Sequence, residues 1–176
     1  PITSCPNTSS PPVLIAAEFR SDAVLRVLLE HGGDPNAQTR AREGFDDRDT
    51  ALSLAYKRGD WLAVSKDLPP FDERQFANFF VLLDAGADLA RDTGNGENVL
   101  EKAAMRRPSF VLGVLRKYPY NGGYDTIVYH AIFRIAMKYP GEEDARALLD
   151  YLRTEKGIDV DAYWAQYRQN SAPSKE

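Results

Sequence analysis

The sequence predicts an all-α fold in which short helices recur in pairs. Three observations support this: apolar residues return at helical spacing, glycines follow the apolar segments, and the same order repeats along the chain. Val13, Ile15 and Ala16 fit one short helix, and the apolar positions of 24–29 fit a second. Gly32 and Gly33 follow, where a helix favours a left-handed C-cap. Two helices this small cannot bury their apolar faces alone, so neighbouring pairs must stack.

The same helix–turn–helix unit returns three more times. A second copy begins its first helix at Thr50 and has its second helix before Gly86. A third places its first helix within 96–107 and its second at 110–115. The fourth, more diverged, runs from Thr126 through Met137 and then from Ala145 to Lys156. The chain therefore contains about four units, and repetition at this scale is typical of stacked repeat proteins.

The repeated segments resemble a known family. P-V-L-I-A-A, T-A-L-S-L-A-Y and N-V-L-E-K-A-A look like the T-P-L-H-x-A signature of ankyrin repeats. L-L-E-H-G-G-D-P-N-A, L-L-D-A-G-A-D-L-A and Y-L-R-T-E-K-G-I-D-V-D-A look like the matching second-helix endings. The matches span about 12–162. The resemblance implies an ankyrin-repeat solenoid of helix–turn–helix units with finger loops.

The resemblance also sets expected boundaries. An ankyrin domain covers 11–168, with polar tails at 1–10 and 169–176. The expected repeats are 11–37, 48–91, 94–118 and 124–162, with a C-terminal cap at 163–168. An insertion at 60–74 separates the two helices of the second repeat, and its apolar content predicts that it folds back onto the repeat edge. Inter-repeat core positions are expected at Leu28, Leu82 and Leu115.

Composition excludes several function classes. The net charge of −4 and the pI near 5.3 argue against general nucleic-acid binding, which needs clustered cations. The longest apolar runs, such as 13–17, are too short to cross a bilayer. Cys5 is the single cysteine, which favours a reducing compartment, cytoplasmic or otherwise intracellular, with the nucleus also open.

Residues suited to catalysis or metal binding are sparse. His31 and His130 are the two histidines, and both are expected to be structural or surface residues. No metal-ligand spacing occurs, and Cys5 lies in a polar tail without a positioned base. The segment 93–96 fits a finger turn better than a phosphate-binding loop. We therefore expect no enzyme activity, no metal and no cofactor.

The ankyrin resemblance implies that the chain binds another protein. In that family the variable pair follows the Ala-Ala of the first helix and faces the concave groove. With the adjoining arginines, the corresponding partner-binding positions are Phe19, Arg20, Lys57, Arg58, Met105, Arg106, Arg107, Phe133 and Arg134. Arginine suits carboxylate recognition, so an acidic segment of a partner is the expected ligand. The alternative is that the arginines among them are solvated near helix ends, where cations complement the helix dipole.

The C-terminal third is rich in tyrosine and supports two interpretations. Its aromatic residues either form the core and cap of a diverged last repeat, or provide a second contact surface. Two other functions also stay open. One is an enzyme or accessory domain with a small-molecule pocket near the insertion and the Tyr-rich end. The other is a structural part of a larger repeat protein, consistent with a chain that opens at Pro1. Otherwise a monomer is expected.

Overall fold

The computed structural model of the chain describes residues 11–19, 22–39, 48–61, 71–94 and 96–171. Within these ranges the secondary structure is helical, with one isolated antiparallel bridge between Gln38 and Thr50 and no extended strand. The predicted all-α class is therefore confirmed for the described residues. Several predicted features lie outside them: the N-terminal tail with Cys5, Arg20, most of the long finger loop, segment 62–70 of the insertion, and the end of the C-terminal tail.

The described residues form nine α-helices. Their bounds are α1 Pro12–Glu18, α2 Asp22–Glu30, α3 Ala51–Trp61, α4 Ala77–Asp84, α5 Val99–Arg106, α6 Pro108–Lys117, α7 Asp125–Ala136, α8 Glu142–Lys156 and α9 Val160–Asn170. A short 3₁₀ helix, Glu73–Phe76, leads directly into α4. The chain divides into two compact units: the first combines Pro1–Ser65 with Asp72–Val99, and the second combines Lys66–Phe71 with Leu100–Glu176.

In the first unit, the first helices of the two helix pairs pack on each other, and so do the second helices. Helix α1 packs on α3 and α2 packs on α4, while α1 also contacts α2 and α3 contacts α4. Leu14, Leu25 and Leu82 are buried in this core. Leu28, which was predicted to lie in the core, is only half-buried. The buried leucine of α2 is Leu25, almost one turn earlier.

The ends of α2 and α4 share one geometry. Gly32 and Gly86 have left-handed φ angles of +84° and +87°. After each glycine, the next backbone N–H bonds back to the helix: Gly33 N–H donates to Leu28 O at 2.8 Å, and Ala87 N–H donates to Leu82 O at 3.0 Å. This is the six-residue bond of a Schellman ending, which satisfies a carbonyl of the last turn. The glycine ending predicted at Gly32 and Gly33 is present, with Gly32 in the left-handed conformation, and it recurs at Gly86 in the next pair of helices.

In the second unit, α6 packs on α8, and α7 packs on both α8 and α9. Phe110, Ile132 and Leu148 are among its fully buried side chains. Helix α9 is longer than the expected 163–168 cap, because the Asp159 side chain accepts a hydrogen bond from Ala162 N–H and starts the helix at Val160. It continues to Asn170, two residues into the predicted polar tail.

Among the helices of the described ranges, none combines the length and the apolar character needed to cross a membrane.

Candidate protein-binding surfaces

The predicted groove residues of the first unit lie at the C-terminal ends of α1 and α3. Phe19 follows the last turn of α1 and is 67% exposed. Lys57 is exposed and forms an ion pair with Asp49, at 2.7 Å from Nζ to Oδ1. Arg58, the next residue on α3, is half-buried. Phe19 thus exposes an apolar surface to solvent, whereas the charge of Lys57 is largely balanced by Asp49.

Arg58 lines a small cleft of about 230 Å³ that we term the polar cleft. Its lining residues come from α1, α2, α3 and the segment around the 3₁₀ helix: Ala17, Asp22, Ala55, Arg58, Arg74, Gln75, Ala77 and Asn78. The cleft carries two guanidinium groups and one carboxylate, that of Asp22. It forms in spite of the insertion, because the 3₁₀ helix and α4 both pack against α3.

Two side-chain atoms of residues that line the polar cleft are buried without a hydrogen-bond partner. They are Nε of Arg58, a donor, and Oε1 of Gln75, an acceptor. The neighbouring Asn78 differs, because its amide donates to the carbonyl oxygens of Ala16 and Ala17, both at 3.1 Å. A buried polar group without a partner costs about 1–3 kcal/mol, so most native structures satisfy such groups. Arg58 and Gln75 thus each keep a hydrogen-bonding atom that the described residues do not satisfy.

In the second unit, two of the predicted arginines are buried. Arg107 is 3% exposed and Arg134 is 5% exposed. The Arg134 guanidinium donates from Nη1 to Met105 O at 2.7 Å and from Nη2 to Pro140 O. It therefore holds α7 to the end of α5 and to the turn before α8. Arg106 is the exposed arginine among the predicted positions of this unit.

Phe133 belongs to a group of rings on α7, α9 and the turn after α7, which we term the aromatic cluster. Its centroid lies 6.4 Å from that of Tyr129, 6.3 Å from Tyr139 and 6.5 Å from Tyr167. Trp164 meets Tyr167 edge to face at 6.2 Å. Tyr129 and Tyr139 remain 49% and 41% exposed, so this group is not simply interior packing. Phe133, which was predicted as a groove residue, thus packs together with tyrosines of the Tyr-rich C-terminal third.

Beside the aromatic cluster, α7 and α9 enclose a cleft of about 290 Å³ that we term the aromatic cleft. It is lined by Asp125, Thr126, Tyr129, Ile132, Tyr163, Gln166, Tyr167 and Asn170. At its edge the Tyr163 hydroxyl donates to Oδ1 of Asp125. This hydrogen bond, together with slight burial and the negative charge of Asp125, raises the pKa of Tyr163 above its usual value.

Sequence reasoning did not single out Asp125 or pair it with Tyr163, which lies 38 residues later. One signal was present: Tyr163, Gln166, Tyr167 and Asn170 recur at spacings of three and four on one helix. Such a stripe marks a shared helix face, but nothing in the pattern identifies the partner helix.

Both histidines bond to backbone carbonyls. Nδ1 of His31 contacts Val27 O one turn earlier, and Nδ1 of His130 contacts Glu101 O on α5, each at 2.8 Å. A carbonyl oxygen only accepts, so Nδ1 carries the hydrogen in both rings. Across the described ranges, no three His, Cys, Asp or Glu side chains are grouped so that they could hold a metal ion.

Comparison with protein-family models, with curated proteins and with solved structures gives no match to the chain.

Proposed function

We propose that this chain is an ankyrin-repeat module that binds another protein without catalysing a reaction, as an adaptor, an inhibitor or a targeting subunit. The packing of the helices supports it. In the first unit α1 lies on α3 and α2 on α4, and in the second α6 lies on α8, while the C-terminal helix α9 packs on α7. Stacking of first helix on first helix and second on second is what repeated helix pairs require. The shared endings at Gly32 and Gly86 add to this support.

The observation that carries the binding role is the polar cleft. Arg58 stands at a position where the ankyrin resemblance implies partner contact, and its Nε is buried beside a second guanidinium, that of Arg74, with no hydrogen-bond partner. A carboxylate satisfies a guanidinium with charge-assisted hydrogen bonds. The unpartnered Gln75 Oε1 needs a donor instead, and a backbone N–H provides one.

A peptide segment with an Asp or Glu side chain supplies both groups at once. Its carboxylate meets Arg58, while an amide N–H of its backbone meets Gln75. The exposed Phe19, at the end of the helix whose Ala17 lines the cleft, gives such a segment an apolar contact. The proposed ligand is therefore an acidic segment of a partner protein with an apolar residue nearby.

Selection from a random displayed-peptide library on the full chain tests this function. The parent is compared with Arg58→Glu and with Arg26→Glu, which makes the same charge change at an exposed position on α2 of the same unit. We expect Asp- or Glu-containing peptides to be enriched by the parent and by Arg26→Glu, but not by Arg58→Glu. Circular dichroism first confirms that all three proteins are folded. Enrichment of no peptide, or equal enrichment by both variants, contradicts the proposal.

A further inference from the structure

We propose that the aromatic cleft between α7 and α9 binds an alkylammonium group, as carried by a lysine side chain of a partner. This site lies entirely within the second unit and prefers the charge opposite to that expected at the polar cleft. It does not depend on the acidic-segment site, so either proposal can fail without the other.

The first argument is the ring content of the cleft. Tyr129, Tyr163 and Tyr167 all line it, and the rings of Tyr129 and Tyr167 have their centroids 6.0 Å apart. Trp164 and Phe133 also contact the Tyr167 ring edge to face. The face of an aromatic ring attracts a cation within about 6 Å of its centroid. Several tyrosines around one small space are therefore a suitable surround for an ammonium group.

The second argument is charge. Asp125 is the charged residue that lines the cleft, and Thr126, Gln166 and Asn170 add neutral polar groups. Among the described lining residues none is cationic. The Tyr163 hydroxyl donates one hydrogen bond to the Asp125 carboxylate, and a carboxylate offers about four acceptor positions. The remaining positions are open to the N–H donors of an ammonium group, and the negative charge disfavours an anionic ligand.

The third argument is size. The volume of about 290 Å³ falls at or below the lower end of pockets that take drug-sized molecules. A single side chain is a better match to this space. A lysine side chain also has an aliphatic stem, which packs on the ring edges of the tyrosines while its charged end meets Asp125.

The test uses the ¹⁵N-labelled full chain and three peptides. Each peptide is a Gly/Ser sequence with one central lysine that is unmodified, Nε-trimethylated or Nε-acetylated. We expect the two cationic peptides to shift backbone resonances of α7 and α9 and the neutral acetylated peptide to leave them unchanged. Tighter binding of the trimethylated peptide assigns the cleft to methylated lysine, and tighter binding of the unmodified peptide assigns it to ordinary lysine. Equal binding of the acetylated peptide overturns the proposal.

Two matched pairs of variants locate the site. Asp125→Asn removes the carboxylate, while Asp144→Asn makes the same charge change on α8, outside the cleft. Tyr167→Phe keeps the ring, and Tyr167→Leu removes it. We expect Asp125→Asn and Tyr167→Leu to weaken binding roughly two- to thirtyfold, the range of a cation–π or exposed ionic contact, with Asp144→Asn and Tyr167→Phe close to the parent.

If Tyr167→Leu disturbs the folding of α9, the comparison of Asp125→Asn with Asp144→Asn still decides the test. Should Asp125→Asn bind the cationic peptides as tightly as Asp144→Asn does, the site is not where the geometry points, and the proposal is rejected.

Discussion

The side chain of Asn36 links the loop after α2 to the loop after α4. Its Oδ1 accepts a hydrogen bond from the backbone N–H of Asp88 at 2.7 Å, and its Nδ2 reaches Gly86 O at 3.4 Å. The two loops also share an internal turn, in which an aspartate carboxylate accepts the N–H two residues later: Asp34 from Asn36, and Asp88 from Ala90. One amide thus connects two equivalent positions of successive helix pairs.

Replacing this amide measures how much the link between the loops contributes. We expect Asn36→Ala to lower the free energy of unfolding by about 0.5–1.5 kcal/mol, because Asp88 N–H loses its side-chain acceptor and water replaces it only in part at this exposed position. Urea denaturation measures the change. Gln169→Ala, at an exposed position on α9, is the matched control and should stay within about 0.5 kcal/mol of the parent. Equal effects of the two substitutions would show that the link is not stabilising.

A pair of leucines on α2 tests the corrected core position. Leu25 is fully buried and Leu28 is half-buried. We expect Leu25→Ala to cost about 2–5 kcal/mol and Leu28→Ala roughly 1–2 kcal/mol, since less apolar area leaves water at the second position. Urea denaturation of both variants measures which substitution lowers the free energy of unfolding more. The reverse order would restore Leu28 as the core residue that the repeat pattern predicts.

Replacing Gly59, inside α3, with alanine should destabilise the protein, although a glycine-to-alanine change within a helix is usually stabilising. Alanine normally favours a helix over glycine by about 0.5–1 kcal/mol. A Cβ at Gly59, however, lies 2.4 Å from Cδ1 of Phe76, whose ring is buried and stacked on Tyr56 at 5.9 Å. We therefore expect Gly59→Ala to destabilise the protein by about 1–3 kcal/mol.

Thermal and urea unfolding of Gly59→Ala show directly whether the substitution stabilises or destabilises the protein. Ala23→Gly, at an exposed position of α2, serves as the reference and should lose about 0.5–1 kcal/mol through helix propensity alone. A stabilised Gly59→Ala variant would mean that the 3₁₀ helix does not pack against α3 as described.

The hydrogen bond from Tyr163 to Asp125 predicts a pH-dependent property. Because this bond favours the neutral phenol, the pKa of Tyr163 is raised above the usual value of about 10. The stabilisation is fully present below pH of about 10 and is lost as the pH rises through the raised pKa. We expect Asp125→Asn to lower the Tyr163 pKa toward about 10, as followed by NMR of ¹³Cζ-labelled tyrosine. Asp144→Asn should leave it unchanged. No change on Asp125→Asn would rule out this pairing.

Much of the helical organisation was predictable because its signals are local. The apolar spacing of 24–29 and of 110–115 locates α2 and α6, and the glycine after α2 adopts the left-handed conformation that its position indicates. Helix ends were less accurate: α8 begins at Glu142, three residues before the predicted start, directly after the left-handed Gly141. Boundary positions depend on cap geometry, which apolar periodicity does not report.

The candidate sites were only partly predictable because they depend on contacts between distant segments. The burial of Arg134 follows from the carbonyls of Met105 and Pro140, which tertiary packing brings to its guanidinium. The aromatic cleft needs α7 and α9 side by side, a relationship that the tyrosine count alone does not indicate. The polar cleft joins Arg58 to Gln75 across the predicted insertion. Local patterns located the arginines and the tyrosines but neither Gln75 nor Asp125, and packing determined which residues meet.

Peptide selection on the full chain tests the central claim, binding of an acidic protein segment at Arg58, most directly. The affinity of the best selected peptide is then measured for the parent, Arg58→Glu and Arg26→Glu, and again with its Asp or Glu replaced by Asn or Gln. We predict that Arg58→Glu and the neutral peptide each weaken binding by about tenfold or more, a loss of about 1.5–3 kcal/mol for a hydrogen bond to a charged group, while Arg26→Glu binds like the parent. Undiminished binding by Arg58→Glu, or equal binding of the neutral peptide, would contradict the claim.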